Sequence, residues 1–269
     1  MLLAGCLAGF SSLNAQPILH DTFDTLNTTT LWDAGSTSGS GTIEVSGGNL
    51  LMQTGTTSGS HRNTLLTQAA SYNPYGRVLT MTASALTVNS TDTTSTGLNS
   101  FYFMIGHAEG TTTSFYAPNR TYFDGGDGYG MISVTVSTSD SGSSIQVGDV
   151  GSTYNYDTYA ISGIPTDITF TLDGTAETFT YTLTLTGATY TDGGGNSISG
   201  TITHFTQTID ATDDIYFALG DINSGAVSVI TNTSLGQIDV VSVPEPAASG
   251  LLLALAGLFL AIRMRRQRA

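Results

Sequence analysis

Residues 179–186 read Phe179-Thr180-Tyr181-Thr182-Leu183-Thr184-Leu185-Thr186, a strict alternation of large apolar side chains with threonine. Successive side chains of a strand point to opposite faces, so one face of this segment is Phe, Tyr, Leu and Leu and the other only Thr. An antiparallel sheet with one covered and one wetted side requires that pattern. Threonine suits the wetted side because its branched Cβ fits a pleated surface. This strand is predicted over 178–186. Weaker alternation predicts others over 41–45, 49–53, 77–88, 100–107, 131–138 and 144–147, then 167–172, 197–205, 215–219, 226–231 and 237–243.

Turn chemistry agrees. Ser46-Gly47-Gly48-Asn49 separates two short strands as a hairpin loop would, and Asp192-Gly193-Gly194-Gly195-Asn196 separates two longer ones. Between Gln16 and Val243 there is no helical stripe and no fixed-period repeat. The expected fold is all-β: a two-layer antiparallel β-sandwich of jelly-roll type, one domain over 16–243.

Charge narrows the function. Charged residues are 10% of the chain, against about 25% in an ordinary soluble domain, and Thr, Ser and Gly take their place. There is no lysine, and between Gln16 and Val243 three arginines face 20 acidic residues, a formal net charge of −17. Such a body repels phosphate backbones, so nucleic acid is excluded as a partner. The only cysteine is Cys6, which leaves the body without disulfides, cysteine-based zinc sites or thiol catalysis.

Both ends differ from the body. Leu2–Phe10 is an apolar run followed by small and polar residues to Ala15. Residues 1–15 therefore read as a signal peptide cleaved between Ala15 and Gln16. No basic residue precedes the run, which points to a start codon upstream of Met1. Leu3-Ala4-Gly5-Cys6 offers a lipobox as the rival reading. At the other end, residues 247–262 form an uncharged stretch followed by Arg263, Arg265, Arg266 and Arg268. As a helix of ~1.5 Å per residue this stretch spans about 24 Å, slightly less than a hydrocarbon core. Snorkelling arginines make up part of the difference. The arginines act as a cytoplasmic stop-transfer cluster and leave the acidic body on the outer face.

Pro244-Glu245-Pro246, the short apolar helix and the arginine cluster occur in the order of the PEP-CTERM sorting signal, which residues 244–269 resemble. The resemblance implies an exosortase-type processing enzyme as partner and cleavage near the motif. It also implies membrane tethering before processing, and a Gram-negative host that makes exopolysaccharide. The two prolines would keep the motif extended and stop the helix from growing back into it. A second resemblance covers the body. Asp21-x-Phe23-Asp24 with Leu31-Trp32, then Gly48-Asn49-Leu50, and the late Gln237-Ile238-Asp239-Val240, look like the opening and closing of concanavalin A-like lectin and glucanase folds.

Catalytic chemistry finds no local anchor. The sandwich glucanases of that fold carry Glu-x-Asp-x-x-Glu, whereas Glu44, Glu109 and Glu177 lie far apart here and Asp213-Asp214 is an unspecific pair. There is no Gly-x-Ser-x-Gly elbow, and His20, His61, His107 and His204 lack metal-ligand spacing. The best candidate site is Asp124-Gly125-Gly126-Asp127-Gly128-Tyr129-Gly130, where Asp124 and Asp127 could hold calcium or simply flank a glycine-rich loop. No cofactor is otherwise required. Tyr116, Tyr122 and Tyr129, with Tyr72 and Tyr75, are candidates for stacking on sugar rings. The expected function is a non-catalytic, exported cell-surface or matrix protein associated with exopolysaccharide. The alternatives are a secreted carbohydrate-binding module and a polysaccharide hydrolase or lyase.

Overall fold

The computed structural model describes residues 15–33, 36–38, 41–53, 59–90, 98–106, 131–139, 142–150, 154–202, 210–225 and 231–244. Eighteen strands lie in them and no helix: β1 (Gln16–Asp21), β2 (Ser36–Ser38), β3 (Thr42–Ser46), β4 (Asn49–Gln53), β5 (Gly59–Leu66), β6 (Arg77–Ser84), β7 (Thr87–Ser90), β8 (Leu98–Gly106), β9 (Met131–Ser139), β10 (Gly142–Val150), β11 (Tyr154–Ser162), β12 (Asp167–Asp173), β13 (Phe179–Thr186), β14 (Thr189–Tyr190), β15 (Ser197–Ile202), β16 (Tyr216–Gly225), β17 (Thr231–Leu235) and β18 (Gln237–Pro244). All the pairings are antiparallel. A six-stranded sheet runs β1-β18-β6-β12-β13-β15 and an eight-stranded sheet β14-β11-β10-β9-β8-β16-β5-β2. To the two expected layers the structure adds a third, smaller sheet, β3-β4-β17-β7.

The alternation that opens the sequence argument decides the packing. Phe179, Tyr181, Leu183 and Leu185 are all buried while the threonines between them face solvent. Neighbouring β12 repeats the pattern with Ile168, Phe170 and Leu172. Opposite them the eight-stranded sheet contributes Phe101, Phe103, Ile105, Val134, Val136, Ile145 and Phe217 to one continuous core. Phe103 meets Phe170 across the layers edge-on at 6.5 Å, and Trp32 lies 6.3 Å from Phe217. At about 25 cal/mol per Å² of apolar surface, this core is the main source of stability.

The hairpin between β3 and β4 closes on Gly47 and Gly48, with φ of 62° and 75°. Both positions need the left-handed conformation that a two-residue hairpin turn favours and glycine adopts freely. Elsewhere the sequence boundaries shift. The continuous strand expected over 77–88 breaks at Ala85, φ 52°, where the chain leaves the six-stranded sheet for the small one. Leu86 N–H bonds to Thr166 O there instead of continuing the ladder. Strands β1, β2, β5, β11 and β14 fall outside the expected set. Of the segment expected over 226–231, residues 226–230 lie outside the described residues, and β17 begins at Thr231.

Candidate functional site

The wetted face of the six-stranded sheet gathers hydroxyls into rows. Register sets Asp239, Thr82, Thr169, Thr184 and Ser197 side by side across five strands. The next row is Val241, Thr80, Thr171, Thr182 and Ser199. Rows repeat about 4.8 Å from strand to strand and roughly 6.8 Å along each strand. Thr80 and Thr171 hydroxyls lie 3.2 Å apart, Thr182 and Ser199 3.2 Å, and Thr184 and Ser197 3.2 Å. Every one of these side chains is half-buried or exposed. Among the described residues of this face the carboxylates are Asp167 and Asp173, at the two ends of β12, and Asp239, in the first row on β18. Asp173 is held below the usual carboxylate range by the Thr175 hydroxyl and backbone N–H. His20 sits beside Asp239 on β1, and that hydrogen bond and charge raise its pKa.

A shallow depression of about 440 Å³ opens at the end of β13, lined by Thr186, Gly187, Ser162, Thr189 and Asn196 among others. Thr186 shares the exposed face of Thr182 and Thr184, so the hydroxyl rows run into the depression. The eight-stranded sheet carries comparable chemistry on the face turned from the core, but there it is enclosed. Ser100, Tyr102, Ser133, Thr135, Ser137 and Thr64 are buried. Ser100 bonds to Ser137 at 2.8 Å and Thr64 to Tyr102 at 2.6 Å. On that sheet only the β10–β11 part, with Ser144, Gln146 and Thr158, is half-buried or exposed among the described residues, whereas the six-stranded face presents its rows to solvent across five strands.

A tyrosine cluster joins the two layers near this edge. Tyr159 and Tyr181 hydroxyls are 2.7 Å apart, and Tyr181 donates to Asp157 Oδ2 at 3.0 Å. Tyr190 meets Tyr159 edge-on at 5.7 Å. Burial pushes all three phenols up and favours their neutral form. Tyr181 also abuts Gly200, where a Cβ would lie 2.5 Å from its ring. The sequence signal for this cluster was the close spacing of Tyr156, Asp157 and Tyr159, which carries no motif.

The residues singled out from sequence divide into three groups. Asp124, Asp127, Tyr116, Tyr122, Tyr129, Glu245, Pro246, Arg263, Arg265, Arg266, Arg268 and the helix over 247–262 lie outside the described residues. Pro244 ends β18 opposite Arg77, Ala15 is exposed, and Gln16 opens β1 opposite Ser242. Tyr72 is corrected: it is buried 5.7 Å from the Phe217 ring, its phenol pushed up to about 12 by burial. Tyr75 packs edge-on against Phe179 at 5.0 Å. Core packing encloses the Tyr72 ring, while Tyr75 stays half-buried. Among the described residues no three His, Cys, Asp or Glu gather as a metal site, and no helix is long and apolar enough to cross a membrane.

Two facing antiparallel sheets and a small third one form a β-sandwich whose fold is similar to that of a solved lectin. Peanut lectin superposes with a TM-score of 0.51 at 13% identity, over 85% of this chain and 97% of that one. Lectin UEA-II, solved with galactose, gives 0.47 at 11% identity over 84% and 99%. A β-1,3-glucanase from Mycobacterium marinum gives 0.47 at 9% identity over 84% and 98%. No protein-family model and no curated protein sequence matches the chain.

Proposed function

We propose that the body, residues 16–243, is a non-catalytic carbohydrate-binding sandwich that holds neutral polysaccharide on the wetted face of its six-stranded sheet. The hydroxyl rows carry this reading. Each threonine or serine hydroxyl can both donate and accept, which matches the mixed donor and acceptor character of sugar hydroxyls. Beyond Asp239, which opens the first row beside His20, the rows bear no charge, and the strongly acidic body disfavours anionic polymers. The lectin-like fold agrees with the reading at the level of architecture.

The test is affinity electrophoresis through gels holding dextran, a β-glucan or alginate. Retardation by a neutral polymer, lost at least tenfold in a Thr171→Val, Thr182→Val variant, is the expected result. Equal retardation of the variant removes the face from consideration. Binding to alginate alone contradicts the charge argument.

Delivery belongs to the same proposal. Residues 1–15 export the chain, and residues 244–269 tether it to the inner membrane until an exosortase-type enzyme acts at Pro244-Glu245-Pro246, after which the body reaches the surface or matrix. Intact mass of the protein from its host, with and without Pro244→Ala and Pro246→Ala, tests this. A species ending near Glu245, lost in the variant, is expected; an uncut tail in both versions overturns it.

A further inference from the structure

Beneath the small sheet, three strands bring polar atoms into the core. Asp221 of β16 stands in register with Asn63 of β5 and Phe101 of β8, on the face that packs inward. Thr233 of β17 approaches from the small sheet, and all three polar side chains are fully buried. Asn63 Nδ2 donates to Gln53 O at 2.9 Å and to Asp221 Oδ1 at 2.8 Å. Both partners are acceptors, so the amide orientation is fixed and Asn63 Oδ1 is left to accept. It has no partner, nor has Asp221 Oδ2 or Thr233 Oγ1. A Cβ on Gly41 would lie 2.4 Å from Asn63 Oδ1, so the chain is already pressed against that side.

Two bare acceptors and one hydroxyl are therefore enclosed together. With Asp221 ionised, this group is one donor short and holds an uncompensated buried charge. One added proton balances donors against acceptors and removes the charge.

We infer that Asp221 is a proton-binding site that locks the four-stranded sheet onto the sandwich, so the seam is closed when the carboxyl is neutral and loosened when it ionises. Burial pushes this carboxyl up to about 7, against the pull of the Asn63 amide, the backbone at Asp221 and the neighbouring Thr233 hydroxyl, which stands outside hydrogen-bonding geometry. Other ionisable groups on the packed elements are few. His61 and Arg62 of β5 precede Asn63 in sequence, and Glu44 of β3 is exposed. The folded state thus keeps a proton that the unfolded chain releases near 3.8. The stabilisation is full below that value and is lost as pH rises through about 7.

The test uses the full chain. Carbon-detected carboxyl titration is expected to place the Asp221 midpoint above pH 6; a midpoint below 5 overturns the inference, whatever the variants do. Asp221→Asn supplies the missing donor without a charge. Its thermal midpoint relative to wild type is expected to climb between pH 5 and 8, with the variant the more stable at pH 8. A difference that stays constant with pH is the contrary result. Hydrogen exchange adds a local readout: amides of β17, corrected for intrinsic rates, are expected to lose protection above pH 7 in wild type only. Loss spread evenly over all three sheets would refute a seam.

Discussion

Replacing Asp21 by Asn separates two hydrogen bonds that the carboxylate makes together. Asp21 Oδ1 accepts the Phe23 backbone N–H at 2.8 Å, and Oδ2 accepts the Trp32 indole N–H at 2.6 Å. The first bond forms a local turn that holds Phe23 at φ 51°, a left-handed conformation costing about 1–2 kcal/mol for a residue with a Cβ. The second satisfies a donor that is fully buried, since Trp32 is enclosed between Phe23 at 6.5 Å and Phe217. An asparagine has a single acceptor oxygen, so one donor must go without. A hydrogen bond to a charged group contributes roughly 1.5–3 kcal/mol, and an orphaned buried donor costs a comparable amount. Asp21→Asn should therefore destabilise by about 2–4 kcal/mol and Asp21→Ala by more, a large part of a typical stability of roughly 5–15 kcal/mol. Trp32 is the only tryptophan in the chain, so its fluorescence reports urea unfolding and its own surroundings at once. A loss under about 1 kcal/mol, or an unchanged native emission in Asp21→Ala, would refute this account of the corner.

Three further outcomes are expected. Gly220→Ala places a Cβ 2.2 Å from Asn63 O and 2.3 Å from Tyr102 Oη; a clash with backbone exceeds ordinary overpacking, so a loss of about 3 kcal/mol or more should appear in chemical unfolding. Ionisation of Asp221, from 3.8 in the unfolded chain to about 7 when folded, should remove about 4 kcal/mol between those pH values, seen as a urea midpoint that falls with rising pH and flattens in Asp221→Asn. The Thr171→Val, Thr182→Val pair should change stability by less than about 1 kcal/mol, so that its loss of polysaccharide binding is a surface effect; a collapsed melting curve would remove that interpretation.

Legibility in the sequence followed how far local chemistry and tertiary role agree. In β13 the alternation and the burial coincide, and the strand is readable residue by residue. The Asp21, Phe23 and Trp32 pattern was visible as a resemblance, and its physical content is the pair of hydrogen bonds just described. In β5 the signal fails because consecutive polar residues are both buried: Asn63 faces Asp221 in the core, and Thr64 bonds to Tyr102 on the other face. In β16 the expected strand stops at Leu219, before the polar Asp221; it runs on to Gly225, with Asp221 held by Asn63 inside the seam. Ala85 errs the other way. Its flanks alternate well, yet the chain must cross between sheets there, and Gly236 packs so tightly on it that a Cβ would come within 2.8 Å. The hydroxyl face was readable strand by strand but not as rows, since register across five strands is a property of the assembled sheet.

The sorting proposal places a geometric demand on the sandwich, and the pairing of β18 meets it. Gln16 lies opposite Ser242, so the two terminal segments depart from the same end of the β1–β18 pair. Pro244 is the last residue in register, opposite Arg77, and having no N–H it cannot extend the ladder as a donor. A cut within or after 244–246 would leave every β18 pairing with β1, and those with β6 as far as Val243 opposite Val78. A cut a few residues earlier would take Val240 and Val241 out of a strand that lies between two neighbours, and Val240 is core. A cut at the proposed position therefore leaves the core residues of β18 in place.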